Sequence, residues 1–108
     1  MNLFALPNQL PAEEVTQPIF TAPGIRMERI LSNGQVSPEG FWYDQPENEW
    51  VAVLTGEGEV AYPDGHRVML KQGDTLLIPA HQKHRVSYTS APCIWLCVFY
   101  PTGEEEAP

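Results

Sequence analysis

Two of the chain's three histidines, His81 and His84, fall close together in the stretch from Gly73 to Arg85, where a turn glycine leads a short apolar run into Pro79. Imidazole is the commonest metal-binding side chain, and a pair placed where a buried strand turns back is a candidate half-site. A carboxylate comes from earlier in the chain. Glu49 heads the apolar run Trp50 to Leu54, which closes at Gly56. On a strand its same-side neighbours are Val51 and Val53, and an ionised carboxylate among apolar side chains is costly unless it is paired, protonated or bound to a metal. Gln45 and Tyr43 share its parity, although Pro46 interrupts the run. Were Gln45, Glu49, His81 and His84 to converge, they would offer imidazole, carboxylate and amide donors around open positions, a set suited to iron and equally to zinc, nickel or manganese. The same residues have plainer readings: His81 as a solvated turn residue, Gln45 as a hydrogen-bond partner of Glu49, and Glu49 as protonated or paired with Arg85.

The elements that must position these residues read as strands. Eleven prolines and eight glycines punctuate short runs of β-branched and aromatic residues, and no long window holds a helical period. The runs predict strands over Glu14 to Phe20, Ile25 to Ser32, Phe41 to Tyr43, Glu49 to Thr55, Glu57 to Tyr62, Arg67 to Leu70, Thr75 to Ile78, Arg85 to Tyr88 and Cys93 to Tyr100. Many short strands separated by turns indicate a sandwich or small barrel. Pro18 demotes the first strand to an edge or a bulge. Asn33-Gly34 is a turn dipeptide, and Pro63-Asp64-Gly65 predicts a hairpin with Gly65 at positive φ; His66, just past it, reads as an ordinary exposed residue. Alternation puts Glu49, Val51 and Val53 on one face and Trp50, Ala52 and Leu54 on the other, and the last strand splits likewise, with Cys93, Trp95, Cys97 and Phe99 on one side. His84 shares a side with Val86 and Tyr88. One apolar face can line a barrel; the other needs a cover, which the N-terminal strands and a second subunit would supply, so a homodimer is expected.

Composition excludes several classes of function. At 108 residues the chain is sized for one domain with one core. Six Lys and Arg against fourteen Asp and Glu give a formal net charge of -8, which argues against nucleic acid or an anionic membrane as partner. Residues 1–13 read as an N-terminal segment, 14–101 as the barrel and 102–108 as a tail whose Glu104, Glu105 and Glu106 are solvated. Met1 to Pro7 lacks the basic and apolar regions of a signal peptide, and no run nears the roughly 18 apolar residues of a membrane span; a soluble, cytoplasmic protein is the expectation. Cys93 and Cys97 lie about 13 Å apart along an extended strand, beyond the ~7 Å reach of a disulfide, and read as small buried side chains.

The spacing of these residues resembles the cupin family. Its second motif runs glycine, five residues, proline, one residue, glycine, two residues, histidine, three residues, asparagine. The chain has Gly73, Pro79, His81 in the second glycine's place, His84, and Tyr88 in the asparagine's place. The first motif ends in His-x-His, three or four residues, glutamate, six residues, glycine; Glu49 and Gly56 match, while Tyr43 and Gln45 stand at the two histidine positions and Gly40 is too close to serve as the leading glycine. The resemblance spans Gly40 to Tyr88. It implies an all-β, cupin-type double-stranded β-helix (jelly-roll) barrel and a divalent transition metal, with Glu49 and His84 retained from the family's ligands and His81 and Gln45 completing the set. The function so implied is a metal-dependent enzyme acting on a small organic molecule, with Tyr43 and Tyr88 as hydrogen-bond donors to it; the other reading is a non-catalytic binding or sensing barrel.

Overall fold

The computed structural model describes residues 1–103, so the expected acidic tail at Glu104, Glu105 and Glu106 lies outside the described residues. Eight strands follow one another: β1 Val15–Ala22, β2 Ile25–Ser32, β3 Asn48–Thr55, β4 Glu57–Ala61, β5 Arg67–Lys71, β6 Thr75–Ile78, β7 Arg85–Thr89 and β8 Cys93–Tyr100. They form a five-stranded sheet in the order β1-β2-β8-β3-β6, facing a three-stranded sheet in the order β5-β4-β7. Every pairing is antiparallel. The all-β jelly-roll expected from the motif spacing is the fold. Among the described residues, no helix is long and apolar enough to cross a membrane.

Local chemistry accounts for the punctuation. β1 is an edge strand, and its register with β2 slips between Pro18 and Phe20, because a proline has no N–H for the ladder. At Pro63-Asp64-Gly65 the turn closes with Tyr62 N donating to His66 O at 2.9 Å and Gly65 at φ 90°; His66 is exposed and stacks on Tyr62. Phe41 to Tyr43, expected as a strand, makes a single bridge in which Tyr43 pairs with His84. The segment is bounded by Gly40 at φ 80° and by Pro46, neither of which continues a ladder.

The barrel interior is filled as the alternation requires. Val51, Val53, Trp95, Cys97 and Phe99 from the larger sheet meet Val60 and Leu70 from the smaller one, all under 5% exposed. On the outer face, the pairings align Phe20, Met27, Val98, Trp50 and Leu77 in one row across five strands. Beside that row the N-terminal segment lies over Arg29, whose Nε donates to Leu3 O at 2.9 Å and whose Nη2 donates to Ala5 O.

Two positions make this packing testable. A Cβ on Gly58 would sit 2.2 Å from Cζ2 of Trp95, so the indole occupies the space the glycine leaves. Gly58→Ala is expected to lower stability by about 1–3 kcal/mol, read as a shift in urea midpoint. Gly103→Ala, which meets nothing within 4 Å, is expected to change it by less than about 0.5 kcal/mol. Burial and the charge of Glu14 push the Cys93 thiol from its ordinary value of 9.0 up to about 12. A thiol held neutral this way contributes stability in full below its unfolded value, and that contribution is lost as the pH rises through the folded one. Urea stability should therefore fall between pH 9 and 12, and Cys93→Ala should remove part of that fall; an unchanged profile would overturn the assignment.

Candidate functional site

Between the two sheets lies a cavity of about 250 Å³ into which Tyr43, Gln45, Glu49 and His84 all face. Glu49 is the second residue of β3, placed between Phe99 of β8 and Ile78 of β6. The pleat that turns Val51 inward turns its carboxylate inward as well, and it is only 9% exposed. His84 immediately precedes β7 and is 5% exposed. Its backbone pairs with Tyr43 in both directions, Tyr43 N to His84 O at 2.7 Å and His84 N to Tyr43 O at 3.2 Å. The two rings stack with centroids 5.3 Å apart. The bridge that replaces the expected strand thus fixes Tyr43 against the histidine.

The tautomer of His84 follows from its partners. Nδ1 lies 2.9 Å from the Gln82 carbonyl oxygen, which can only accept, so Nδ1 carries a proton, and in the neutral ring Nε2 is the nitrogen with the free lone pair, facing Glu49. Nε2 stands 3.6 Å from Glu49 Oε1, too far for a hydrogen bond. Burial, then the charge and acceptor oxygens of Glu49, followed by the charges of Glu28 and Glu14, hold the Cys97 thiol well above its ordinary value. Burial first, then the charges of Glu14 and Glu49, also raise the Tyr43 phenol, so it enters the cavity as a protonated donor.

His81 does not join this group. It is the one described non-glycine residue at positive φ, 63°, at the position where the resembled motif carries glycine, and its imidazole leaves the barrel. Nδ1 lies 2.8 Å from Asp44 Oδ1 with the side chain 69% exposed, while its backbone N donates to Gln45 O at 2.7 Å. Tyr88 is also placed outside, 45% exposed. The register slips between Glu59 and Val60 so that Val86 and Tyr88 face consecutive residues; Ser87 is the extra residue, and the bulge reverses the parity on which Tyr88 was expected to share His84's side. Arg85, the other partner considered for Glu49, donates from Nη2 to Ser37 O at 2.7 Å.

The strand alternation was silent on three other groups that line the cavity, Glu14, Arg26 and Glu28. Arg26, Glu28 and Ile30 do alternate along β2, but which side faces inward becomes readable only once β2 is known to pair with β8. Cys97, read as a small buried side chain, is buried and lines the cavity beside Glu49. Trp95 also lines it.

The donor set can be judged against a metal ion. Among the described residues, no group of three or more His, Cys, Asp or Glu is placed to hold one. His84 and Glu49 alone do fit a shared ion: donors about 2.0–2.2 Å from one metal can stand 3.6 Å apart, and a ligating imidazole normally donates its other N–H to an oxygen, as Nδ1 does here. Any third protein donor would have to be neutral, and Gln45 is the amide in the cavity.

Comparison with known proteins agrees with this architecture. A Ralstonia eutropha JMP134 structure, provisionally assigned as a mannose-6-phosphate isomerase, superposes with TM-score 0.88 at 40% identity, covering 94% of this chain and 97% of that one. A cupin superfamily protein from Desulfitobacterium hafniense DCB-2 gives TM-score 0.73 at 14% identity over 84% of this chain and 80% of the other. A cupin 2 conserved barrel domain protein from Leptotrichia buccalis gives 0.72 at 23% over 88% and 44%. A search of curated proteins gives no match. The cupin domain family (Cupin_2) matches residues 28–99, which contain both motifs, all of β3 to β7 and most of β2 and β8; the chain belongs to the cupin family.

Proposed function

We propose that this cupin takes one small organic molecule into the barrel, polar end toward Glu49 and His84, and acts on it as a metal-dependent enzyme. The observation that carries the reading is the pair itself: a carboxylate and an imidazole, 3.6 Å apart, buried together in the cavity between the sheets. His84 Nε2 and Glu49 would hold the ion, zinc, iron, nickel or manganese, with the Gln45 amide as a third donor or as a group orienting Glu49. When bound, such an ion supplies Lewis acidity toward a carbonyl or hydroxyl.

The chain's own groups do the rest. Tyr43, kept protonated, donates a hydrogen bond to the molecule's polar end. Trp95, Phe99 and Val86 exclude water around it, which strengthens every polar contact inside. The likeness to the Ralstonia protein supports isomerisation as the reaction. Such a reaction needs a group that takes a proton and returns it to a neighbouring atom, and of the carboxylates lining the cavity Glu28 and Glu14 are the two not assigned to the ion. A second reading, a barrel that binds its ligand without turnover, is favoured by the shortage of donors, since only two of the usual metal-binding residue types meet. Binding that survives chelation, with no product formed, would distinguish it.

The test is metal content by elemental analysis of protein purified without a histidine tag. Near-stoichiometric metal is expected in the wild type and in His81→Ala, whose imidazole faces solvent, and at least a tenfold loss of affinity, of the order seen when a metal's supporting groups are removed, is expected in Glu49→Ala and His84→Ala. Wild-type protein that stays metal-free after incubation with each ion would overturn the metal-dependent reading.

A further inference from the structure

We infer that the molecule taken into the barrel carries a positive charge, an ammonium or guanidinium group on a compact body, and is not a phosphate ester. This rests on the cavity being the ligand site. Three carboxylates, Glu14, Glu28 and Glu49, line the cavity, against one permanent cation, Arg26. That cation is already engaged. Its Nη1 donates to Glu47 Oε1 at 3.0 Å and Oε2 at 3.1 Å, its Nε lies 3.6 Å from Glu28 Oε2, and the guanidinium carbon sits 4.0 Å above the Phe99 ring. No lysine lines the cavity.

The remaining polar groups also present acceptors. His84, 5% exposed, stands with Nε2 3.6 Å from Glu49 and no hydrogen bond between them. The Glu49 carboxylate faces the cavity, and Glu14 accepts from the Ser32 hydroxyl at 2.7 Å, leaving its other oxygen free of that contact. An incoming dianion would meet these carboxylates with only neutral donors, such as Tyr43 and the Gln45 amide, to offset them. An ammonium group would be met by Glu28 and Glu14 and by the ring faces of Tyr43, Trp95 and Phe99, which attract cations as well. Its uncharged end would then reach Glu49 and His84. The likeness to a protein provisionally assigned to mannose 6-phosphate therefore extends to the barrel and its chemistry, and not to a phosphorylated ligand.

The experiment is isothermal titration calorimetry of the chelator-treated full chain at low salt with benzylamine and butylamine, the matching alcohols benzyl alcohol and 1-butanol, the acids benzoate and butyrate, and mannose 6-phosphate. Each amine is expected to bind at least about tenfold tighter than its alcohol, the ratio one charge-assisted hydrogen bond supplies. Glu28→Gln and the more exposed Glu14→Gln should each narrow that ratio, with thermal melting showing that the barrel is intact. Tighter binding of an acid or of mannose 6-phosphate, or an amine preference unchanged in both variants, overturns the charge inference while leaving the cavity as the ligand site. Failure of every probe to bind overturns the inference and the ligand-site reading together.

Discussion

The structure depends on an anion held inside an apolar barrel. Glu49 lies on the same side of β3 as Val51 and Val53, and the pleat gives it no way out without exposing both valines. Burying a carboxylate this deeply is unfavourable by several kcal/mol unless other groups meet it. The fold meets it with the Cys97 thiol from β8 and with His84 at 3.6 Å, whose ring is in turn clamped between the Gln82 carbonyl and the face of Tyr43. Each partner comes from a different part of the chain. The barrel must therefore close before the carboxylate has any company, which ties the site to the fold as a whole.

The same constraint sets the character of the cavity. Once Glu49 is inside, every further charge on the inner face is felt at low dielectric, and β2 adds Glu28 and Arg26 to it. Arg26 does not neutralise the interior, because Glu47 and the Phe99 ring draw its guanidinium aside. What results is an acceptor-rich pocket in which two thiols and a phenol stay protonated. A metal ion and a cationic ligand answer the same excess of negative charge, one at the Glu49–His84 pair and the other toward Glu28 and Glu14.

His81 shows how a turn can override a sequence motif. Its place in the chain suits a second imidazole beside His84, yet the turn after Pro79 needs a left-handed residue there, at φ 63°. A non-glycine residue in that conformation still presents its side chain in one direction, and here the direction is outward, to Asp44. Tyr88 shows the complementary case, in which one bulged residue is enough to reverse a whole side of a strand.

Local sequence alone set the all-β architecture, the positions of the eight strands within two residues, the hairpin at Gly65, the break at Pro18 and the inward face of β3, while the strand expected at Phe41 to Tyr43 is a single bridge. These follow from period-two alternation, proline's missing N–H and glycine's access to positive φ, all of which act within a few residues. Motif spacing alone also marked Tyr43, Gln45, Glu49 and His84, which the structure brings to one cavity. Only the folded barrel decides that His81 and Tyr88 leave that cavity, that Cys97 lies in its wall with Glu49, and that Glu14, Arg26 and Glu28 join them. Those outcomes turn on a left-handed turn, on a bulge defined by the facing strand, and on the pairing of β2 with β8 across more than sixty residues of chain. None of them is encoded in local periodicity, because each depends on which strand lies opposite.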